Sequence, residues 1–345
     1  MEKVKKKLTE DKSKDMLFKS RADNIDILKA VCAFLIVCIH IPFYGTLGAY
    51  FTALTRIAVP IFFMITGYFY PDVVKRGGET RQIKKILKLV IEANFIYLLW
   101  DSFCALVNWN MDFFQNTFTL KNLLKFLLLN ESPMKGHLWY LGAILYVLII
   151  LQVADKLKCI KMLYCLTPVL LLGDLVFGKY SMVIWGREFP YILVRNFLFV
   201  GIPYFCIGHL IRNGMGRRIN KKVLSFLIIL FSLTTIFERF LLVNIGMNAT
   251  RDHYISTTFL AVTVFLFALR CDGHKGVLAA IGRKYSTWLY ILHPIFITCL
   301  GTVAKKVGIY RVYQFIAPIT VYIATLVFLV IIDKCKYRIV QRRRR

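Results

Sequence analysis

Apolar stretches about as long as a bilayer is thick recur along this chain, and that recurrence limits the fold more than any single motif does. A hydrocarbon core is crossed by roughly 20 consecutive apolar residues in a helix. Ten candidates lie at 26–45, 50–70, 83–107, 137–155, 160–177, 190–211, 223–243, 254–271, 285–304 and 313–333. Lipid offers no hydrogen bonds to the backbone, so a segment of this kind must satisfy its own N–H and C=O groups as a helix. The expected fold is an all-α integral membrane protein of about ten transmembrane helices. The stretch LKNLLKFLLLN at 120–130 is too short to cross and reads as an interfacial helix.

Composition agrees. Of 345 residues 58% are apolar and only 19% charged, against about 25% charged in soluble domains, and the mean hydropathy is +0.60. The 46 Lys and Arg outnumber the 19 Asp and Glu, for a formal charge of +27. A nucleic-acid partner would require those cations on a water-exposed face; here they fill short gaps between apolar runs, so no nucleic acid is expected. On a ten-span topology 33 of them fall on one side and 9 on the other. That bias puts both termini in the cytoplasm, with a basic tail at 1–25, a membrane domain at 26–333 and a second basic tail at 334–345. The first span lacks a small-residue cleavage pattern and is read as retained. The nine cysteines form no C-x-x-C pair, so neither a metal site nor a disulfide framework is signalled.

Charges inside a membrane are costly, which makes each one a candidate for function. In NIDILKAVCAFLIVCIHIP, Lys29 and His40 are 11 residues apart, close to eclipsed on a helix and about 16 Å apart along its axis. Arg56, entering the second span from the outer side, comes to nearly the depth of His40. The same outer zone receives Asp101, His137 with Trp139 and Tyr140, Asp174, Arg195, Glu238 with Arg239, and Asp252 with His253, while His293 before Pro294 lies deeper. Duller readings stand beside these. A lone His often bonds one helix to another, Trp139 and Tyr140 suit an aromatic belt, and Arg195 and the Glu238–Arg239 pair suit structural ion pairs. At the start of the third span Arg81, Lys84 and Lys85 share a helical face, which fits either phosphate binding or ordinary basic flanking. An imidazole with an apolar wall and a neighbouring cation tends to stay neutral, as a general base or an acyl-carrying nucleophile requires.

With these residues together, the chain resembles membrane acyltransferase family three. The match rests on Lys29-x10-His40 preceded by Asp26, on RIAVPIFFMITGY in the second span, on HLWYL at 137–141 and on WLYILHP at 288–294, in that order. The resemblance implies transfer of an acyl group from cytoplasmic acyl-CoA, acetyl-CoA first of all, to an extracytoplasmic hydroxyl, with no metal. It implies His40 as catalytic base or acyl carrier, supported by Lys29 and Arg56, and Lys29, Arg81, Lys84 and Lys85 as the CoA-binding cations. Many members carry Arg-x-x-Arg where this chain has Arg81-x-x-Lys84, which keeps the charge but loses one bidentate fork. Acceptor binding is expected from His137, Trp139, Tyr140, Arg195, His293 and Asp101. Within the family the chain is similar to the membrane portion of vancomycin-resistance serine racemases, through HLWYLGAI, GDLVFG, RNFLFVGIPYFCIGHLIRNG and STWLYILHP. That narrower likeness implies an alternative function: uptake of L-serine, held by an Arg and by Asp101, Asp174 or Asp252, for a cytoplasmic racemase domain. The pyridoxal phosphate of such a domain has no lysine assigned to it in this portion.

Overall fold

A computed structural model describes residues 23–110, 112–249, 251–271 and 276–342. Among these the regular structure is entirely helical. The helices are α1 (residues 23–40), α2 (Gly45–Thr55), α3 (Ala58–Val74), α4 (Glu79–Val107), α5 (Phe113–Thr117), α6 (Leu120–Leu129) and α7 (Trp139–Lys156). They continue with α8 (Ile160–Asp174), α9 (Ser181–Trp185), α10 (Ile202–Arg212), α11 (Lys221–Asn244), α12 (Ile255–Ala268), α13 (Val277–Lys306) and α14 (Tyr310–Arg342). Seven described helical segments are long and apolar enough to cross a membrane: Gly45–Val74, Glu79–Val107, Gly136–Lys156, Ile160–Lys179, Lys221–Asn244, Val277–Lys306 and Tyr310–Ile339. The expected count was about ten. Two of the remaining candidates are helical but shorter, the apolar helix Phe197–Arg212 and α12; the third is α1, described from residue 23.

Prolines explain two of the differences in boundary. The first span was expected to reach residue 45, but α1 stops at His40 because Pro42 disfavours helical backbone at the residue before it. The second was expected to be continuous, but Arg56 and Ile57 form a turn between α2 and α3. Pro60 has no N–H to give the Arg56 carbonyl and its ring crowds that oxygen, so it is tolerated only in the first turn of a new helix. At the far end α14 runs on as helix through Arg342, past the 333/334 boundary expected from the apolar run. Its 33 residues make a rod of about 50 Å, longer than a bilayer core of about 30 Å. The basic tail at 1–22 lies outside the described residues.

The chain divides into two compact units. The described part of the first comprises residues 23–58, 218–232, 260–271 and 276–342. Here Gly282 of α13 lies directly against α1, where a Cβ would stand 1.7 Å from the Asp26 carbonyl oxygen. Tyr322 of α14 donates to the Ala30 carbonyl (3.3 Å) and meets Phe34 edge-on. Ala304, Tyr313 and Ala317 form a small core between α13 and α14.

The second unit comprises residues 59–217 and 233–259. Helices α3 and α10 pack backbone to backbone: a Cβ on Gly67 would lie 2.0 Å from the Phe205 carbonyl oxygen, and one on Gly208 2.0 Å from that of Met64. Further along the same pair, Arg212 grips both carboxylate oxygens of Asp72 at 2.7 and 3.0 Å. Helix α6 is a separate ten-residue helix, about 15 Å long. The Thr119 side chain caps its start, and Asn130 closes it in the left-handed region at φ 56°. Asn130 is buried, donates to the Trp139 carbonyl (3.1 Å) and accepts from the Phe197 backbone N–H (3.0 Å). Asn130→Ala strands both backbone groups and puts a Cβ without local hydrogen bonding into left-handed backbone. The expected loss is about 2–3 kcal/mol, read as a lowered melting temperature in detergent.

Candidate active site

In the first unit the first-span histidine stands on the last residue of α1, exposed, with the His293 ring beside it at a centroid separation of 5.0 Å and a 46° tilt. The two residues are 253 positions apart in sequence, and only the packing of α13 on α1 unites them. His293 is fully buried. Its Nδ1 lies 2.8 Å from the Tyr290 carbonyl and 3.2 Å from that of Leu289. The first of these contacts follows from the next residue. Pro294 cannot donate to Tyr290 four residues back, and the freed carbonyl takes the imidazole N–H instead. A carbonyl oxygen only accepts, so the proton of the neutral ring sits on Nδ1 and its lone pair on Nε2.

At the other end of α1, Lys29 pairs with Asp26 at 3.0 Å. The second oxygen of Asp26 receives Arg283 Nε at 2.7 Å, and Arg283 reaches on to Asp23 at 2.5 Å. Two carboxylates and two cations thus form a formally neutral cluster tying α13 to α1. Arg283 is its most exposed member, at 60% of its side-chain surface. The sequence reading singled out Lys29 and missed Arg283, although Asp23 and Asp26 at the head of an apolar run were a signal that a second cation was needed. Arg56 is half-buried in the turn that ends α2.

The second unit gathers four of the expected acceptor-binding residues around the turn leading into α7. His137 is buried on the short 3-10 turn Gly136–Leu138, edge-on to Tyr97 of α4 at 5.1 Å. Asp101, one turn further along α4, pairs with Lys135 at 2.9 Å. Arg195 donates to the Gly136 carbonyl (3.1 Å) and lays its guanidinium over Trp139 at 5.5 Å and Tyr191 at 4.4 Å. Tyr140 points elsewhere, packing on Phe63 of α3 at 4.8 Å. The loop that carries this group is itself built: Ser132 donates to Asn94 of α4 (2.7 Å) and accepts from the Met134 N–H at 3.2 Å. Arg81, Lys84 and Lys85 are exposed on the first turns of α4, open to a polyanion. Glu92 sits 3.7 Å from Lys88.

A second polar cluster in this unit contains Asp174, one of the carboxylates expected to hold L-serine in the alternative function. His253 Nδ1 and Asp174 Oδ2 are 2.6 Å apart, both buried. Lys179, also buried, donates to the Ala249 carbonyl (2.9 Å) and covers the Tyr254 ring. Glu238 accepts from the backbone N–H groups of Ile255 and Ser256 at 2.9 and 3.0 Å, capping α12, and takes the Tyr180 hydroxyl as well. A carboxylate at a helix N-terminus offsets the orphan N–H groups and the dipole there.

Comparison with known proteins adds a consistent picture. An acyltransferase domain family, the membrane acyltransferases of family three, matches residues 23–332. An amino-acid racemase of Enterococcus faecalis is 26% identical over 313 residues, covering 85% of this chain and 43% of the relative. A serine/alanine racemase of Enterococcus gallinarum is 27% identical over 337 residues, covering 91% of this chain and 46% of the relative. The chain therefore spans a little under half the length of these curated relatives. No solved structure matches it.

Proposed function

The chain belongs to membrane acyltransferase family three, and from that premise we propose that it transfers an acyl group, acetyl first of all, from cytoplasmic acyl-CoA to an extracytoplasmic hydroxyl. The observation that carries this reading is the exposed His40 imidazole on the end of α1, backed by a buried second imidazole. In the reaction His40 takes the proton of the acceptor hydroxyl. The acceptor oxygen bonds to the acyl carbon as the carbon–sulfur bond breaks, and the proton passes from His40 to the departing thiolate. Arg56 supports this end of the machinery electrostatically, and Lys29, about 16 Å away at the other end of α1, serves the CoA side. Arg81, Lys84 and Lys85 hold the CoA phosphates, where a point charge at Lys84 does the work that an arginine fork does elsewhere in the family. His137, Trp139, Tyr140, Arg195 and Asp101 bind the acceptor, and the loop charge bias supports a multi-pass plasma-membrane protein with both termini cytoplasmic.

Calorimetry of acetyl-CoA binding to the purified protein in detergent tests the reading. Saturable binding in the micromolar range is expected, near about −8 kcal/mol. Arg81→Ala is expected to weaken it about tenfold, as loss of one charge-assisted phosphate contact does, and His40→Ala to leave it unchanged. A folded protein that binds no acetyl-CoA would overturn the proposal.

The names of the relatives favour a second reading, in which this portion delivers L-serine to a racemase domain. Two of the carboxylates it would use for the ammonium are already engaged, Asp101 with Lys135 and Asp174 with His253. Uptake of labelled L-serine into proteoliposomes, unaffected by Arg81→Ala, would select it over acyl transfer.

A further inference from the structure

We infer that His293 is a positioning residue for His40: its Nε2 lone pair accepts a hydrogen bond from a ring N–H of His40, which selects the tautomer of that ring and stabilises the imidazolium formed when it takes a proton. The inference rests on the acyl-transfer reading for its catalytic meaning but on geometry for the contact itself.

Three observations lead to it. First, the His293 proton is spoken for. Tyr290, robbed of its helical donor by Pro294, holds that proton on Nδ1 at 2.8 Å, so the neutral ring has only an acceptor left to offer. Second, the two rings are near and not parallel, 5.0 Å apart with a 46° tilt. Imidazole lone pairs and N–H bonds lie in the ring plane, so a parallel stack would keep them from each other and a tilt brings them into reach. Third, the two rings differ in setting: His293 is fully buried and tied to its own helix, whereas His40 is exposed on the terminal residue of α1. The hydrogen bond between them is not closed in this structure; catalytic hydrogen bonds that are loose in an unliganded enzyme commonly tighten when the reactants are bound.

The chemical consequence follows from proton counting. A neutral imidazole has one N–H and one lone pair. If the N–H is directed to His293, the lone pair of His40 is left on its other nitrogen, free for the acceptor hydroxyl. After proton transfer His40 carries two N–H groups and a positive charge, one N–H still on His293 and the other available to the leaving thiolate. His293 keeps its Nδ1 proton on Tyr290 throughout and neither gains nor loses one. A carboxylate orients the histidine of a hydrolytic triad by the same logic; here the orienting group is an imidazole whose own tautomer is dictated by a proline.

Two measurements test this. In wild-type protein with 15N-labelled histidine, assigned among six histidines by the loss of signals in His40→Ala, an N–H···N coupling between His40 and His293 is expected. Its absence overturns the contact, and this readout needs no turnover, so failure of the acyl-transfer reading leaves it decisive. The second measurement is kinetic. His293→Phe keeps a buried ring without a lone pair and is expected to lower kcat about 100-fold with KM unchanged, while His293→Gln, whose carbonyl still accepts, recovers about tenfold of that loss. A kcat within threefold of wild type in a folded His293→Phe protein, or equal losses in the two variants, would refute the positioning role. Should His293→Phe not fold, the coupling in the wild-type protein decides alone.

Discussion

His40→Ala is expected to reduce the rate of acyl transfer by about 1,000-fold while leaving the fold and the affinity for acetyl-CoA intact. An alcohol gives up its proton reluctantly at neutral pH, and a positioned base contributes about 100- to 10,000-fold by taking it as the new bond forms. His40 is exposed at the end of α1, so its removal opens no buried cavity. The loss should therefore appear in kcat. Turnover of acetyl-CoA in proteoliposomes, with an unchanged melting temperature as control, measures it; activity within tenfold of wild type removes His40 from the mechanism.

Gly282→Val is expected to be the most damaging single change to stability in the first unit, costing about 3 kcal/mol or more and taking activity with it. The reason is steric. A Cβ at this position would overlap the Asp26 carbonyl at 1.7 Å and crowd the Ala30 backbone nitrogen at 2.9 Å, and backbone atoms of α1 cannot rotate aside as a flexible side chain would. Relief requires α13 to withdraw. Arg283, adjacent in sequence, would then lose its hold on Asp26 and Asp23, and His293, three helical turns or about 16 Å further on, would leave His40. Gly301 lies on the same helix with open space where its Cβ would be, so Gly301→Val is the control, with little change in melting temperature expected. Equal effects of the two substitutions would show that helix propensity, and not the close approach to α1, governs.

The packing behind both predictions was only partly visible beforehand. Apolar periodicity located the helical segments because a helix in lipid must be apolar over its length, and this requirement is written residue by residue. The prolines at 42, 60 and 294 were equally open to reading, since a missing N–H acts on the same helix a few residues away. The helix count was less legible: α12 and the interrupted segment before α10 are apolar enough to resemble spans yet have shorter helices, and hydropathy does not register a turn such as Val194–Asn196. Among the site residues, Asp101, Arg195 and the His137–Trp139 motif come from three separate stretches and prove to be neighbours, whereas Tyr140, next to Trp139 in sequence, faces α3 because adjacent helical residues point about 100° apart.

By itself, the sequence determined that this is a helical membrane protein with a basic bias in its loops, and that His293 precedes a proline with no N–H to give the Tyr290 carbonyl. Each of these is a local consequence of covalent structure and of the solvent in which the chain must live. Only the tertiary structure decided that α1 stops at His40, that the His293 ring comes to rest 5.0 Å from it, and that Arg283 completes the Asp23, Asp26 and Lys29 cluster. The last two contacts join residues some 250 positions apart, and they depend on how closely two helices approach. Here that distance is set by the missing side chain of Gly282, a feature with no periodicity or charge to announce it.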